Sequence, residues 1–461
     1  MIIVDAALRQ RQIEGNPIRV GMVGAGAMGR MLALQITTVV PGMELVGIAN
    51  RTVSRARECY REAGVAEHDI VDVESVAQAA TALARGKPFV TPDPSVLTSL
   101  AGIDAILEVT GAPEQAAHVV LQAIAERKHV IMMNAELLGT VGPILRARAD
   151  EAGVVLTDSD GDQPGVMMNL HRFVSGLGVR PVLLGNMKGL HDPYRNPTTQ
   201  EGFARNAGLS PQMATSFADG TKMSLEMALV ANATGLRAAR LGMHGPNAES
   251  VHEAATSFPL DELLEIGLVD YIVGAEPAPG VFCLGTIDHP AQKHWLRMYK
   301  LGEGPLYTFY TPYHLCHLEA PHTVVRAVLF GDAAVSPDVG HVLDVVATAK
   351  RDLRAGETID GIGGYTVYGL AENAVDCVQA GHLPVAISEG CTLVREVTRD
   401  HVLTYGDVRQ PDGRLIDRLR ADQELDFPPV YKKPGATQAG SSSTPSDPTR
   451  GTLRPLDERS A

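Results

Sequence analysis

Apolar residues in the first third of the chain fall into short runs, each cut off by glycine or a polar pair and each followed by a helical repeat. Ile18 to Val23 is such a run, short and apolar without alternation, as in a strand covered on both faces. It stops at Gly24-Ala25-Gly26-Ala27-Met28-Gly29, after which Met28, Met31, Leu32 and Ile36 recur at helical spacing until Pro41-Gly42. A second strand is predicted from Glu44 to Ala49, then mostly helical chain over residues 53–100 with a loop around Thr91-Pro92-Asp93-Pro94, then a strand from Ile103 to Val109. The turn Thr110-Gly111-Ala112-Pro113 starts a helix running to Arg127, His129 to Met133 reads as the next strand, and Val154 to Thr157 as another. Strands alternating with helices predict an α/β fold, a Rossmann-type doubly wound parallel sheet.

In an open parallel sheet, ligands collect beyond the carboxyl ends of the strands. The glycine turn has the required context, strand before and helix after. Gly24 permits a tight turn, Gly26 lets a pyrophosphate approach the positive helix end, and Gly29 lets helix and strand pack closely. Ala27 and Met28 complete this expected cofactor contact. Where an NAD site usually places an acid for the ribose hydroxyls, the second strand ends in Asn50-Arg51-Thr52. The missing acid and the arginine favour NADP, with NAD as the alternative. Arg51 and Arg55 also have a plainer reading as solvated charges at a helix start. Thr110, Gly111, Asn134 and Glu136 fall at the same rim and are expected beside a nicotinamide. The plainer reading makes Asn134 the cap of a helix starting near Gly142, and Glu136 a surface acid.

Composition narrows the class. A chain of 461 residues exceeds one ordinary core, so two or three domains are expected. A formal charge of -14 opposes a nucleic-acid or anionic-membrane surface, which leaves small molecules as partners. The five cysteines, Cys59, Cys283, Cys316, Cys377 and Cys391, lack paired spacing, so neither a disulfide framework nor a zinc knuckle is predicted and a reducing cytoplasm fits. The N-terminus lacks the plan of a signal peptide, and no window approaches the roughly 18 apolar residues of a membrane span.

The second half supplies candidate chemistry. Asp158-Ser159-Asp160-Gly161-Asp162 puts three acids in five residues at a strand's end, where they would bind Mg or Mn through oxygen, hydrogen-bond substrate hydroxyls, or form a solvated turn. Lys188 ends an apolar run inside glycine-bracketed chain. Lys222 and Glu226 are four apart and share a helical face, as a catalytic pair or a surface ion pair. A lysine desolvated in a cleft, its pKa lowered toward neutrality, would protonate a developing alkoxide. Lys188, Lys222 or His244 would hold a substrate phosphate. From Pro305 to Glu319 the chain alternates like a strand, which sends His314 and Cys316 to one face and His317 to the other. No zinc site is therefore expected there.

Two resemblances follow. The first glycine turn, Val109-Thr110-Gly111 and Asn134-Ala135 resemble the homoserine dehydrogenase-type nucleotide domain. That family's strand ends with a lysine that takes part in catalysis; Glu136 stands at that place here, so homoserine oxidation itself is not implied. The chain over roughly residues 7–410 resembles more closely the deoxyxylulose-phosphate reductoisomerase-like family. The matching stretches are Glu14-Gly15-Asn16-Pro17-Ile18-Arg19-Val20-Gly21, Met132-Met133-Asn134, Gly161-Asp162-Gln163-Pro164, Ala231-Asn232-Ala233-Thr234-Gly235-Leu236, Gly242-Met243-His244-Gly245-Pro246 and Pro312-Tyr313-His314-Leu315. After about Val342 the texture changes to short strands and turns, and Ala349 to Glu357 together with Leu383 to Ala386 and Val402 to Val408 is similar to the SAF (antifreeze-like) β-clip module.

These readings imply a dinucleotide-binding domain over 1–158, a second α+β domain for substrate and oligomerisation over 159–341, a β-clip (SAF) module over 342–412, and a disordered tail over 428–461. The expected protein is a homodimeric or larger NADP(H)-dependent oxidoreductase. Its substrate would be a small polyhydroxylated carbonyl compound, phosphorylated or not, and its sharpest form a reductoisomerase acting on deoxyxylulose phosphate. Alternatives are a simple dehydrogenase of a branched sugar, polyol or hydroxy acid, and a non-catalytic nucleotide sensor or carbohydrate binder.

Overall fold

The structure, a computed structural model, describes residues 3–430, so the expected tail beyond residue 430 lies outside the described residues. Seven parallel strands form the first sheet: β1 (Ile18–Val23), β2 (Met43–Ala49), β3 (Val71–Asp72), β4 (Phe89–Thr91), β5 (Ala105–Glu108), β6 (His129–Met132) and β7 (Leu156–Asp158), in the order β3-β4-β2-β1-β5-β6-β7. The winding reverses between β1 and β5, which opens a crevice at their carboxyl ends. Strands β3 and β4 lie where only helix and loop were expected. Runs of two and three residues are too short to show a period.

Both faces of the sheet are covered, which is why β1 reads as continuously apolar. Ile18, Val20 and Met22 pack with Leu32 and Ile36 of the helix Ala27–Thr38, whereas Ile106, Val130 and Met132 belong to the core on the other side. The first core also takes Ala320, Val324, Val325 and Ala327 from the helix Cys316–Phe330. That helix falls within the span expected for the substrate domain, yet its body packs on the nucleotide-type sheet.

The second sheet holds β8 (Arg180–Lys188), β9 (Leu268–Val273), β10 (Gly280–Thr286) and β11 (Leu306–Thr311), ordered β11-β10-β8-β9, with β8 and β9 parallel and β10 antiparallel to both its neighbours. One face carries the helices Gln163–Gly176 and Thr221–Thr234, the second of which is buried along nearly its whole length. Two antiparallel pairs follow, β12 (Leu343–Ala349) with β13 (Val367–Asn373) and β14 (Thr392–Leu393) with β15 (Val408–Arg409). Among the described residues no helix is long and apolar enough to cross a membrane.

The final described helix, Leu415–Asp426, returns to the first domain and packs on the helices Pro113–Ala125 and Ala135–Ala152. Glu114 receives the free N–H groups of its first turn, Leu415 and Ile416, each at 2.9 Å. The helix Ala135–Ala152 is kinked at Val141, near Pro143. Gln423 fills the break: its Nε2 donates to the Thr140 carbonyl at 3.1 Å and its Oε1 accepts the Ile144 N–H at 3.3 Å, the two groups that an unbroken helix would pair with each other. Arg420, 2% exposed, donates twice to Asp344 of β12 at 2.6 and 2.8 Å, and His341 bonds the same carboxylate at 2.8 Å.

Removing one partner of such a buried pair strands the other charge. Arg420→Ala is expected to cost about 3–5 kcal/mol in urea unfolding, and Gln423→Ala about 1–3 kcal/mol. Burial opposes the Asp344 charge, but Arg420 and His341 outweigh it and hold its pKa below the ordinary carboxylate range. Its stabilising contribution is therefore complete above the unfolded value near ~4 and is lost as pH falls through the folded value; the acid limb of the stability profile should shrink in Arg420→Ala.

Candidate active site

A cavity of about 560 Å³ lies between the two sheets, lined at one end by Met28, Thr110, Gly111 and Glu136 and at the other by Asp162, Lys188, Lys222 and Glu226. Lys188 is the last residue of β8, as its position after an apolar run predicts. Lys222 and Glu226 face the cavity from the helix Thr221–Thr234, and neither is a surface residue. They do not pair with each other. Lys222 Nζ lies 3.6 Å from Asp162, and Glu226 lies 3.6 Å from Lys188, so each partner comes from another element. Gln163 and Asn186 tie the two pairs together: Gln163 Oε1 accepts from Lys188 at 3.0 Å and from Asn186 at 3.1 Å, and Asn186 donates to Glu226 at 2.9 Å.

Asp162 caps the helix Gln163–Gly176, accepting the Gln163 N–H at 3.0 Å. The preceding Gly161 has φ +81, and a Cβ there would stand 2.9 Å from the Leu315 carbonyl and 3.0 Å from that of Cys316. Only glycine allows the acidic turn to lie this close to the start of the next helix, and the contact brings Asp162 against His314 and Cys316. This overturns the expectation drawn from strand alternation. β11 ends at Thr311 and a helix begins at Cys316, so His314 and Cys316 are placed by a loop and a helix start.

Electrostatics divide the cluster. Burial works against the Lys222 ammonium, but Asp162, Glu136, Glu226 and Asp158 outweigh it and raise its pKa above the lysine value. The expectation of a lysine lowered toward neutrality is thus reversed for Lys222. Asp162 is held below its ordinary value: burial opposes ionisation, but Lys222 and His314 overcome it. Burial and the neighbouring Asp162 push Asp158 well up, and neither of its carboxyl oxygens has a hydrogen-bond partner. Glu226 is also raised, by burial, despite Lys188.

The three acids of the turn do not converge as an oxygen cage for Mg or Mn. Asp160 is fully buried and engaged by Arg326 at 2.7 and 3.0 Å, by Asn169 at 2.7 Å and by Thr323 at 3.2 Å. His244 lies outside the cavity lining, held at 2.9 Å from Asp270 and 3.2 Å from Glu262.

At the rim, a Cβ on Gly29 would stand 2.6 Å from the Gly24 carbonyl, and one on Gly24, φ +116, would meet Val109 at 3.0 Å, while a Cβ on Gly26 would meet open space. Ala27 and Met28 are half-buried just beyond it. Asn50 and Arg51 follow β2, with Asn50 donating to the Thr52 carbonyl at 2.8 Å and Arg51 exposed. Glu136 is buried at 7% exposure and lines the cavity, which removes the surface-acid reading. Asn134 is fully buried and does cap a helix, but one that begins at Ala135: it accepts the Leu137 N–H at 3.1 Å and donates to Glu108 at 3.0 Å.

Glu108 escaped sequence reading because it sits inside an apolar strand, although a lone carboxylate in such a run was the signal to follow. It also accepts the Thr110 N–H at 2.9 Å and the Thr110 hydroxyl. Gln163 and Asn186 were missed as well. Their roles depend on the meeting of β8 with the helix Gln163–Gly176, which no local pattern encodes.

The C-terminal segment braces this site. Lys350 pairs with buried Asp219 at 2.8 Å, Asp219 accepts the Thr221 N–H at 2.9 Å, and the Gly369 N–H donates to the Thr221 hydroxyl at 2.8 Å. The start of the helix carrying Lys222 and Glu226 is thereby fixed by residues in and next to β12 and β13.

A parallel sheet with a glycine turn at its switch point, joined to a lysine–carboxylate cavity, defines an NAD(P)-dependent oxidoreductase. Residues 20–157 match the family described as "Homoserine dehydrogenase, NAD binding domain" and residues 161–320 match "Oxidoreductase DRL, catalytic domain". The chain thus combines a homoserine dehydrogenase-type nucleotide domain with a DRL-type catalytic domain. No curated protein matches it. Similar solved structures include scyllo-inositol dehydrogenase from Lactobacillus casei, 12% identical with a TM-score of 0.40 over 70% of this chain and 92% of that one. Another is myo-inositol dehydrogenase from the same organism, 14% identical with a TM-score of 0.40 over 70% and 89%.

Burial lifts Glu108 to about 7 even though Thr110 and Asn134 hydrogen-bond it. A carboxyl raised on folding costs stability as pH climbs from the unfolded value near ~4.3 to the folded one. In Glu108→Gln this part of the slope between about pH 4.5 and 7 should vanish in urea unfolding measured across pH; an unchanged slope would remove Glu108 as its source.

Proposed function

We propose that the protein interconverts a small, polyhydroxylated carbonyl compound and its alcohol with NADP(H), in the cavity between the glycine turn and the Lys222–Asp162 cluster. The observation that carries the reading is a buried ammonium, kept charged by four carboxyl groups, on the wall of a cavity whose other end is the nucleotide rim. When bound, the nicotinamide supplies or accepts the hydride. Gly24, Gly26, Ala27, Met28 and Gly29 receive the dinucleotide backbone, and Thr110, Gly111 and Glu136 border its redox end, with Asn134 setting the rim through Glu108. Lys222 stabilises negative charge on the substrate oxygen, a fixed electrostatic role suited to its raised pKa. Glu226, which holds a proton more firmly than an ordinary carboxyl, exchanges it with that oxygen alongside Lys188. Asp162 orients Lys222 and accepts from substrate hydroxyls.

Charge also sorts the substrates. The two lysines of this wall are already engaged, Lys222 by Asp162 and Lys188 by Glu226, each at 3.6 Å, and His244, the other expected phosphate ligand, is occupied by Asp270 and Glu262, so little free positive charge is left for a dianionic phosphate. An unphosphorylated keto sugar or keto-polyol, reduced without rearrangement, therefore fits better than a reductoisomerase step on a sugar phosphate. The β-clip-like segment is assigned a structural role through Lys350 and Gly369. A homo-oligomer would cover the exposed Trp295, Met298 and Tyr299.

NADPH oxidation tests the reading with unphosphorylated keto sugars and keto-polyols set against deoxyxylulose phosphate, each with and without Mg. Turnover confined to deoxyxylulose phosphate would overturn it. Lys222→Met should lower kcat by at least ~100-fold while leaving the KM for NADPH in place. Arg51→Ala should raise the KM for NADPH about tenfold and leave that for NADH unchanged; equal effects on both would exclude Arg51 from recognition of the 2′-phosphate.

A further inference from the structure

We infer that Asp162, His314 and Cys316 form a binding site for a divalent metal ion of the zinc class in the wall of the cavity. Cys316 Sγ lies 3.4 Å from His314 Nδ1 and 3.9 Å from Asp162 Oδ1, and ligand atoms of all three residues lie within 4.8 Å of one another. Tetrahedral zinc, with bonds of about 2.3 Å to sulfur and about 2.0–2.1 Å to nitrogen or oxygen, has ligand-to-ligand edges of about 3.5 Å. The two separations from the Cys316 sulfur bracket that value. One sulfur, one nitrogen and one oxygen form a donor set for zinc or cobalt and a poor one for Mg, which takes oxygen.

Three separate elements deliver the ligands: a helix cap, a loop and the first residue of a helix. Their meeting depends on Gly161, where any side chain would collide with the Leu315 and Cys316 backbone. Asp162 divides its oxygens. Lys222 lies nearest Oδ2, and Oδ1, which already accepts the Gln163 N–H, keeps a second lone pair toward Cys316.

Asp158, Glu136 and Glu226 lie with Asp162 around the Lys222 ammonium, so the wall beside the three ligands is rich in carboxyl groups. Metal binding would replace the Cys316 S–H with a sulfur–metal bond, and the released proton would pass to solvent. Three protein ligands leave a fourth position for a substrate oxygen, on a wall shared with Lys222. The inference deepens the proposed reaction, but metal binding does not depend on the identity of the substrate.

The full-length protein, stripped by chelation, is titrated with cobalt(II) chloride. One cobalt per chain with a near-ultraviolet thiolate-to-cobalt charge-transfer band is expected. The band should be absent in Cys316→Ser, and binding should weaken by more than ~10-fold in His314→Gln. Circular dichroism checks that each variant folds, and if Cys316→Ser does not, His314→Gln carries the test. No band in the wild-type protein, or binding unchanged in the variants, overturns the inference. NADPH turnover is read separately: turnover without a band sinks the metal site alone, and a band without turnover on any keto compound sinks the proposed reaction alone.

Discussion

A buried ammonium cannot stand alone in protein interior, and the arrangement of this molecule follows from how Lys222 is accompanied. Its charge is held by carboxyl groups from three places: Asp158 and Asp162 at the end of β7, Glu136 at the start of the helix after β6, and Glu226 one turn along its own helix. Each group alone would be costly at that depth. Together they join the end of the nucleotide-type sheet to the helix Thr221–Thr234 across one cavity, and separating Asp162 from Lys222 would strand a charge in a low-dielectric cleft. The same field decides what the site can do. It keeps one cation permanently charged, one carboxyl firmly ionised and two others prone to hold protons.

Around that centre the chain is woven rather than strung. The helix Cys316–Phe330 belongs by sequence to the second unit and by packing to the first, and it starts at the cavity. The C-terminal segment reaches inward through Lys350 to fix the start of the Lys222 helix. A role for this segment in placing the cavity-lining Lys222 and Glu226 comes from those bonds, whatever else its β-rich surface binds.

Much of this was legible beforehand wherever the signal was local. The glycine turn, the strand endings at Thr110, Asn134 and Lys188, and the place of Lys222 and Glu226 on one helical face are properties of a few neighbouring residues. What was misread depended on distance along the chain. The ion-pair partners of Lys222 and Glu226 lie 60 and 38 positions earlier in the sequence. His314 and Cys316 were assigned to strand faces because alternation continues past Thr311. The helix that actually begins at Cys316 is specified by its packing on the first sheet, a tertiary effect that overrides local pattern.

The insertion of Gln423 into the broken turn at Thr140 and Ile144, with Glu114 receiving Leu415 and Ile416, bears on how the molecule is made. A ribosome delivers the amino-terminal sheet first, yet the helix Ala135–Ala152 beside it keeps the Thr140 carbonyl and the Ile144 N–H without their partner until residues 415–426 emerge. Biosynthesis therefore completes the earliest-built layer last, and a nascent chain halted before that point would expose an unfinished seam to the protein quality-control machinery.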